Sequence, residues 1–257
     1  MSVLVVCAVA LIASGLTFFS GFGLGTLLLP AFALFYPVQT AVALTAVVHF
    51  LNGVFKLALV GRHVDLRILG RFGLPAFAAS FAGASALLWL ADIQPLASYS
   101  LWGRDVLVTP AKLAVGLLLL VFSAAELHPR FRGLSFASRY FVLGGALSGF
   151  FGGLSGMQGA LRAAFLARAG LTKEAFIGTG SAIACLIDVS RLGVYSRMLL
   201  GEWNQMDRWV LAAAVLCAFA GAALGNRYLK SITMKAIQRT VAILLFAVAL
   251  GLMSGVL

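Results

Sequence analysis

Long apolar runs separated by short polar loops set the pattern of this chain. Six are continuous and cover residues 40–60, 70–91, 105–124, 176–199, 208–225 and 239–256. Each has close to the roughly 20 residues that a helix needs to cross about 30 Å of hydrocarbon. Two regions break the pattern. Residues 3–36 predict two helices interrupted at "SGFGLG", the second ending near Pro37. Residues 137–169 predict two helices interrupted at "GGLSGMQG". The second arm of each pair is short, roughly 13 residues or about 20 Å of helix. Such arms predict broken or re-entrant segments rather than full spans.

Composition fixes the solvent. The 257 residues are 62% hydrophobic and 11% charged, whereas a soluble domain is about 25% charged. The expectation is one polytopic membrane unit with no separate soluble domain. The net charge of +11 does not point to nucleic acid, because the basic residues lie between apolar runs rather than in a stripe. Twelve of them fall in loops 61–71, 125–139, 168–175 and 225–239. Arg104, Arg197 and Arg208 fall on the other side, beside Asp92, Asp105, Glu202 and Asp207. The positive-inside rule places the twelve in the cytoplasm. Both termini then face outward, pair 3–36 starts and ends outside, and pair 137–169 starts and ends inside. A bacterial cytoplasmic (inner) membrane fits this layout. The opening "MSVLVVCAVALIASG" has no basic leader and reads as a retained membrane segment. Cys7, Cys185 and Cys217 are far apart and read as packing residues, with no metal spacing. Trp89, Trp102, Trp203 and Trp209 lie near predicted boundaries and read as an interfacial belt.

The two halves resemble each other. At an offset of 135, Ser20-Gly21 aligns with Ser155-Gly156, Lys56 with Arg191, and Arg62 with Arg197. "FAGA" at 81–84 recurs at 219–222. Each half is a broken pair followed by three spans, and an odd number of spans inverts the second copy. The expected fold is therefore all-α, with 8–10 membrane segments in two inverted repeats, 1–125 and 126–257. Inverted repeats with broken helices are the sequence sign of a secondary transporter with a site near the midplane.

Candidate chemistry gathers at the breaks. Each exposes backbone N–H groups at the start of a half-helix, where the dipole favours an anion. Gly21, Gly23, Gly25, Gly156 and Gly159 would let the backbone approach a ligand, and Ser20, Thr26, Ser155 and Gln158 could add hydrogen bonds. The plainer reading is that these glycines serve tight helix packing. Within the spans, Thr45, His49, Asn52 and Lys56 share one helical face, and Ser181, Cys185, Asp188, Arg191 and Tyr195 form a second stripe. Charged groups in lipid are costly and usually face a cavity or a partner. Lys56, Arg162 and Arg191 are the candidate anion ligands; His49 and Asp188 are candidate proton carriers. Each has an alternative: Lys56 as a snorkelling residue, Arg191 as an ion-pair partner of Asp188, His49 as a core histidine. Arg162 reads equally as facing the site or the cytoplasm.

The "SGFGLGTLLLP" stretch, its counterpart "GGLSGMQGALRAAF" and the two-half layout resemble the sulfite exporter TauE/SafE family of membrane permeases. The resemblance covers essentially the whole chain. That family tends to repeat a glycine-rich stretch followed by a proline; here Pro30 follows the first, but Phe165 stands at the aligned place in the second. The resemblance implies transport of small sulfur-containing or organic anions, such as sulfite or sulfonates. It also implies that Gly21–Thr26 and Ser155–Arg162 line the pathway. The expected function is thus a secondary transporter of a small anion working by alternating access, with the lipid bilayer as its surroundings and no cofactor, metal or enzymatic activity. No Walker-type motif appears. Coupling to protons through His49 is a further expectation. Three alternatives stay open: an anion channel, a membrane subunit that binds a partner without transporting, and an intramembrane hydrolase using Ser155 with His49 as base.

Overall fold

Apolar runs in lipid fold as helices because a helix satisfies its own backbone hydrogen bonds. The computed structural model describes residues 2–16, 18, 23–101, 104–127, 135–202, 207–228 and 234–257. Ser20 and Gly21 lie outside the described residues, as do Trp102, Trp203, Arg130, Arg132 and Lys230.

In chain order the helices are α1 (Ser2–Leu16), α2 (Leu24–Ala33), α3 (Val38–Val60), α4 (Leu74–Asp92) and α5 (Pro110–Leu127). They continue as α6 (Phe141–Ser155), α7 (Gly159–Leu166), α8 (Lys173–Glu202), α9 (Arg208–Tyr228) and α10 (Met234–Ser254). A one-turn helix, Leu66–Ile68, and a π turn, Leu69–Gly73, lead into α4. Among the described residues, four helical runs are long and apolar enough to cross a membrane: Val38–His63, Leu66–Asp92, Lys173–Glu202 and Arg208–Arg227. Large apolar side chains such as Leu4, Ile12, Val142, Leu216 and Ile243 are exposed rather than buried, as a lipid surround requires. The chain is an all-α polytopic membrane protein.

Three details differ from the sequence reading. Strands β1 (Ala97–Leu101) and β2 (Arg104–Val108) pair antiparallel, with Ala97 opposite Val108 and Leu101 opposite Arg104. The span expected at 105–124 therefore begins as a strand, and its helix starts at Pro110, a residue suited to a first helical turn. The hairpin is tied to the end of α10. The Tyr99 hydroxyl donates to the Ser254 carbonyl at 2.6 Å, and the Lys112 ammonium to the carbonyls of Leu107 (3.1 Å) and Gly255 (2.9 Å). The second arms are also shorter than expected, 10 residues in α2 and 8 in α7. Finally, Gly152 and Gly153 belong to α6 rather than to the break.

Glycine decides which helices pack most closely. Gly145, Gly149 and Gly153 recur every four residues, so they share one face of α6. A Cβ on any of them would run into the backbone of Phe72, Ala76 or Ser80, also four apart. Gly83, from the other side of this contact, lies against the backbone of Phe150. The α1–α9 pair is built alike, with Gly221 and Gly225 of α9 against the backbones of Leu11 and Gly15. Small residues let helices approach where lipid offers no hydrophobic drive. The glycines of both "FAGA" copies, Gly83 and Gly221, thus do the same job. α4 packs on α6 and α1 on α9; α3 packs on α8 and α5 on α10.

Candidate functional site

The two breaks meet each other. In the first, Gly23 precedes α2 with φ 114° and no side-chain cap. Leu27 N–H bonds back to the Gly23 carbonyl at 3.0 Å. The N–H groups of Leu24, Gly25 and Thr26 belong to the first turn, which has no helical carbonyl before it. In the second break Gly156 ends α6 with φ 78°, a left-handed conformation natural to glycine. Its N–H bonds to the Gly152 carbonyl at 2.8 Å, and α7 begins three residues later. A Cβ on Gly25 would sit 3.1 Å from the Gly156 carbonyl oxygen and 3.6 Å from Cδ2 of His49. The start of α2 is therefore pressed against the second break.

Beside this junction α3 crosses α8, with Gly53 against the Cys185 sulfur. The crossing brings the two polar stripes face to face. Asp188 is fully buried. Its Oδ2 lies 2.6 Å from His49 Nδ1. Its Oδ1 accepts from Gln158 Nε2 at 3.1 Å and from Arg191 Nε at 2.9 Å. Arg191 Nη2 is 2.8 Å from the same oxygen, yet off hydrogen-bond geometry, and makes no hydrogen bond. Arg191 Nη1 reaches the Gly152 carbonyl at 3.4 Å, and a Cβ on Gly156 would touch that same nitrogen. Gln158 turns its other end to Arg162, whose Nη1 donates to Oε1 at 2.8 Å. One network thus links α3, α8, the second break and α7.

The charges in this network do not balance. The charged side chains buried among the described residues are Lys56, Arg162, Arg191 and Asp188. With His49 neutral this leaves an excess of two positive charges. Removing an ion from water costs several kcal/mol unless a counter-charge stands close. Lys56 has no carboxylate within ion-pair distance among the described residues; its ammonium lies 5.5 Å from the centre of the Phe18 ring. Lys56, Arg162, His49, Asn52 and Ser181 line one cavity of about 20 Å³, with Phe18 as its apolar wall. That is room for about one water. Asn52 Oδ1 accepts from Ser14 Oγ at 3.1 Å, which leaves its amide donors for the cavity.

The expected site residues divide accordingly. His49, Asn52, Lys56 and Arg162 share the cavity, and Arg162 faces inward, 3% exposed. Asp188, Gln158 and Arg191 hold one another beside it. Gly25 and Gly156 form the junction. Thr26 and Gly159 line a separate cavity of about 10 Å³ with Met157, Ala160 and Phe122. Ser155 is buried but donates to the Phe151 carbonyl at 3.0 Å, one turn back in its own helix. Among the described residues no hydrogen bond joins it to His49, whose Nδ1 meets Asp188. Sequence reasoning missed Phe18 and Ser14, which are ordinary apolar and small residues in their own helix patterns. Tyr195, part of the second stripe, donates its hydroxyl to the Gly153 carbonyl.

A family model described as Sulfite exporter TauE/SafE matches residues 6–252. No curated protein matches the chain. No solved structure matches it.

Proposed function

The chain belongs to the sulfite exporter TauE/SafE family, a family of membrane transporters of sulfite or related anions, and from that premise we propose that this protein carries a small, doubly charged sulfur oxyanion. The anion binds in the cavity between α3, α8 and α7. Lys56 and Arg162 supply charge, and Asn52 and Ser181 supply hydrogen bonds. Arg191 serves this site through Asp188 and the second break more than as a free ligand.

One observation carries the reading: among the described residues, three buried cations stand with a single buried carboxylate. A doubly charged anion matches that excess of two positive charges. The buried Thr45 Oγ1, without a hydrogen-bond partner, supports a polar ligand at this depth, because buried hydroxyls are normally satisfied. The 20 Å³ cavity suits a contracted state, so binding requires the helices around it to part. Alternating access supplies that motion. The helix pairings support it: α4–α6 and α1–α9 exchange under the 135-residue offset, while α3–α8 and α5–α10 map onto themselves. That is the pattern expected of inverted repeats 1–125 and 126–257 rocking about a shared site.

The test is thermal stabilisation of the purified protein by sulfite, sulfate, thiosulfate, methanesulfonate, acetate and phosphate. A ligand at 100 times its Kd adds about 2.7 kcal/mol. Divalent sulfur oxyanions should raise the melting temperature most, and Lys56→Gln should need at least about tenfold more anion for the same shift, a loss of roughly 1.4 kcal/mol. Equal shifts in wild type and Lys56→Gln, or none with any anion, would refute the site.

A further inference from the structure

We propose that His49 and the anion cavity form one linked unit, in which a proton bound at His49 Nε2 and an anion beside Lys56 and Arg162 each tighten the binding of the other. The inference rests on the anion site proposed above and adds a second ligand to it, the proton.

Geometry assigns the atom. Asp188 Oδ1 accepts from Gln158 and from the Arg191 guanidinium, whose charge keeps the carboxylate ionised, and Oδ2 faces His49 Nδ1 at 2.6 Å. An ionised carboxylate only accepts, so the imidazole hydrogen sits on Nδ1. The lone pair is then on Nε2, and a proton arriving from water binds there. Imidazole is the side chain whose ordinary titration falls between about pH 5 and 8. His49 is also the histidine that lines the cavity, and its side chain is 13% exposed. His63 lies in the turn Gly61–His63, away from this network.

The groups around His49 set the sign of the linkage. From α8 it meets Asp188, which holds Arg191 behind it, and the Cys185 thiol stands one turn away beside Gly53. From α7 comes Arg162 and from its own helix Lys56. α2 brings Gly25 and no titratable side chain. The other elements packed on α3 bury no charged side chain among the described residues. A proton on His49 raises the local excess from two positive charges to three and so strengthens an anion's hold. By linkage an anion in the cavity strengthens the hold on the proton by the same factor. The proton also draws Asp188 toward His49. Arg191 Nη2, already without a hydrogen bond, is then freer to turn toward the anion. Proton and anion enter the site together, and charge moves with them.

Sulfate is the probe, because it stays doubly charged throughout the range and any pH dependence belongs to the protein. Its affinity for wild type and for His49→Gln is read from thermal shifts between about pH 5.5 and 8 at fixed ionic strength. Wild type should bind sulfate at least about fivefold more tightly at the acid end, at the low edge of ordinary coupling. His49→Gln, whose amide can still donate to Asp188, should show a flat profile. The same pH slope in both proteins overturns the linkage and leaves the anion site intact. Absence of any sulfate shift in wild type at every pH removes the anion site itself. A second measurement does not depend on the variant folding: adding sulfate to weakly buffered wild type near pH 6.5 should take up protons, read by an indicator dye. No uptake overturns the proposal.

Discussion

The α4–α6 contact and the α3–α8 crossing solve the same problem with opposite means. In the first, Gly145, Gly149 and Gly153 bring backbone against backbone, and nothing polar or charged is needed to hold the pair. In the second, the helices meet around His49, Asp188, Lys56 and Arg191, with a small cavity between them. Close packing fixes a contact because any gap or extra atom is penalised. A polar crossing is fixed only while its charges are matched. The first kind of contact suits a frame and the second a site whose occupancy changes. The difference can be attacked from either side.

The largest effect should come from the carboxylate. Asp188→Ala leaves Arg191 buried without its carboxylate and removes the one buried negative charge that stands against three buried cations among the described residues. Breaking a buried ion pair on one side costs about 3–5 kcal/mol. The variant should lose that much stability, and saturating sulfate should recover part of it by standing in for the carboxylate. Chemical denaturation with and without sulfate checks both. A loss below about 1 kcal/mol would mean that the crossing is held by packing after all.

Next comes the frame. In Gly149→Ala the new methyl group meets the Ala76 backbone, and overpacking of this kind costs about 1–3 kcal/mol. The same substitution at Gly193, on α8 where a Cβ meets nothing within 4 Å, should stabilise by about 0.5–1 kcal/mol through helix propensity. Melting temperatures of the two variants should therefore move in opposite directions. A shift of the same sign in both would break the distinction between frame and free helix surface.

How much of this was readable beforehand follows the same division. Hydrophobic length indicated the long helices, and the glycine clusters "SGFGLG" and "GGLSGMQG" indicated both breaks, because those signals are local. The hairpin at 97–108 was not readable: β2 runs straight into the apolar start of α5, and a short apolar strand has no period that separates it from a helix. The polar stripes on α3 and α8 were visible from spacing, but not their pairing, since His49 and Asp188 are 139 residues apart. Arg162 follows Gln158 by four residues, the spacing at which helical side chains meet, so that pairing was readable, but not that Gln158 turns its other end to Asp188. Ser155 shows why a local pattern leaves two readings open. A serine at a glycine break looks like a ligand, yet a helix also offers its hydroxyl a carbonyl one turn earlier, and that is the contact the structure shows.

That last point makes Ser155 the mildest test. Its hydroxyl is 1% exposed as a residue and donates to the Phe151 carbonyl, which already takes part in the helix ladder. Such back-bonding adds little and can slightly destabilise a helix. Ser155→Ala removes donor and hydroxyl oxygen together, so no buried donor is stranded. The expected change in stability is within about 0.5 kcal/mol, and sulfate affinity should stay within about twofold of wild type. A larger loss of sulfate binding would move the ligand from the Lys56 cavity toward the start of α7. Thr26, Gly159 and Ala160 would then become the residues to substitute next, since they line the cavity on that side.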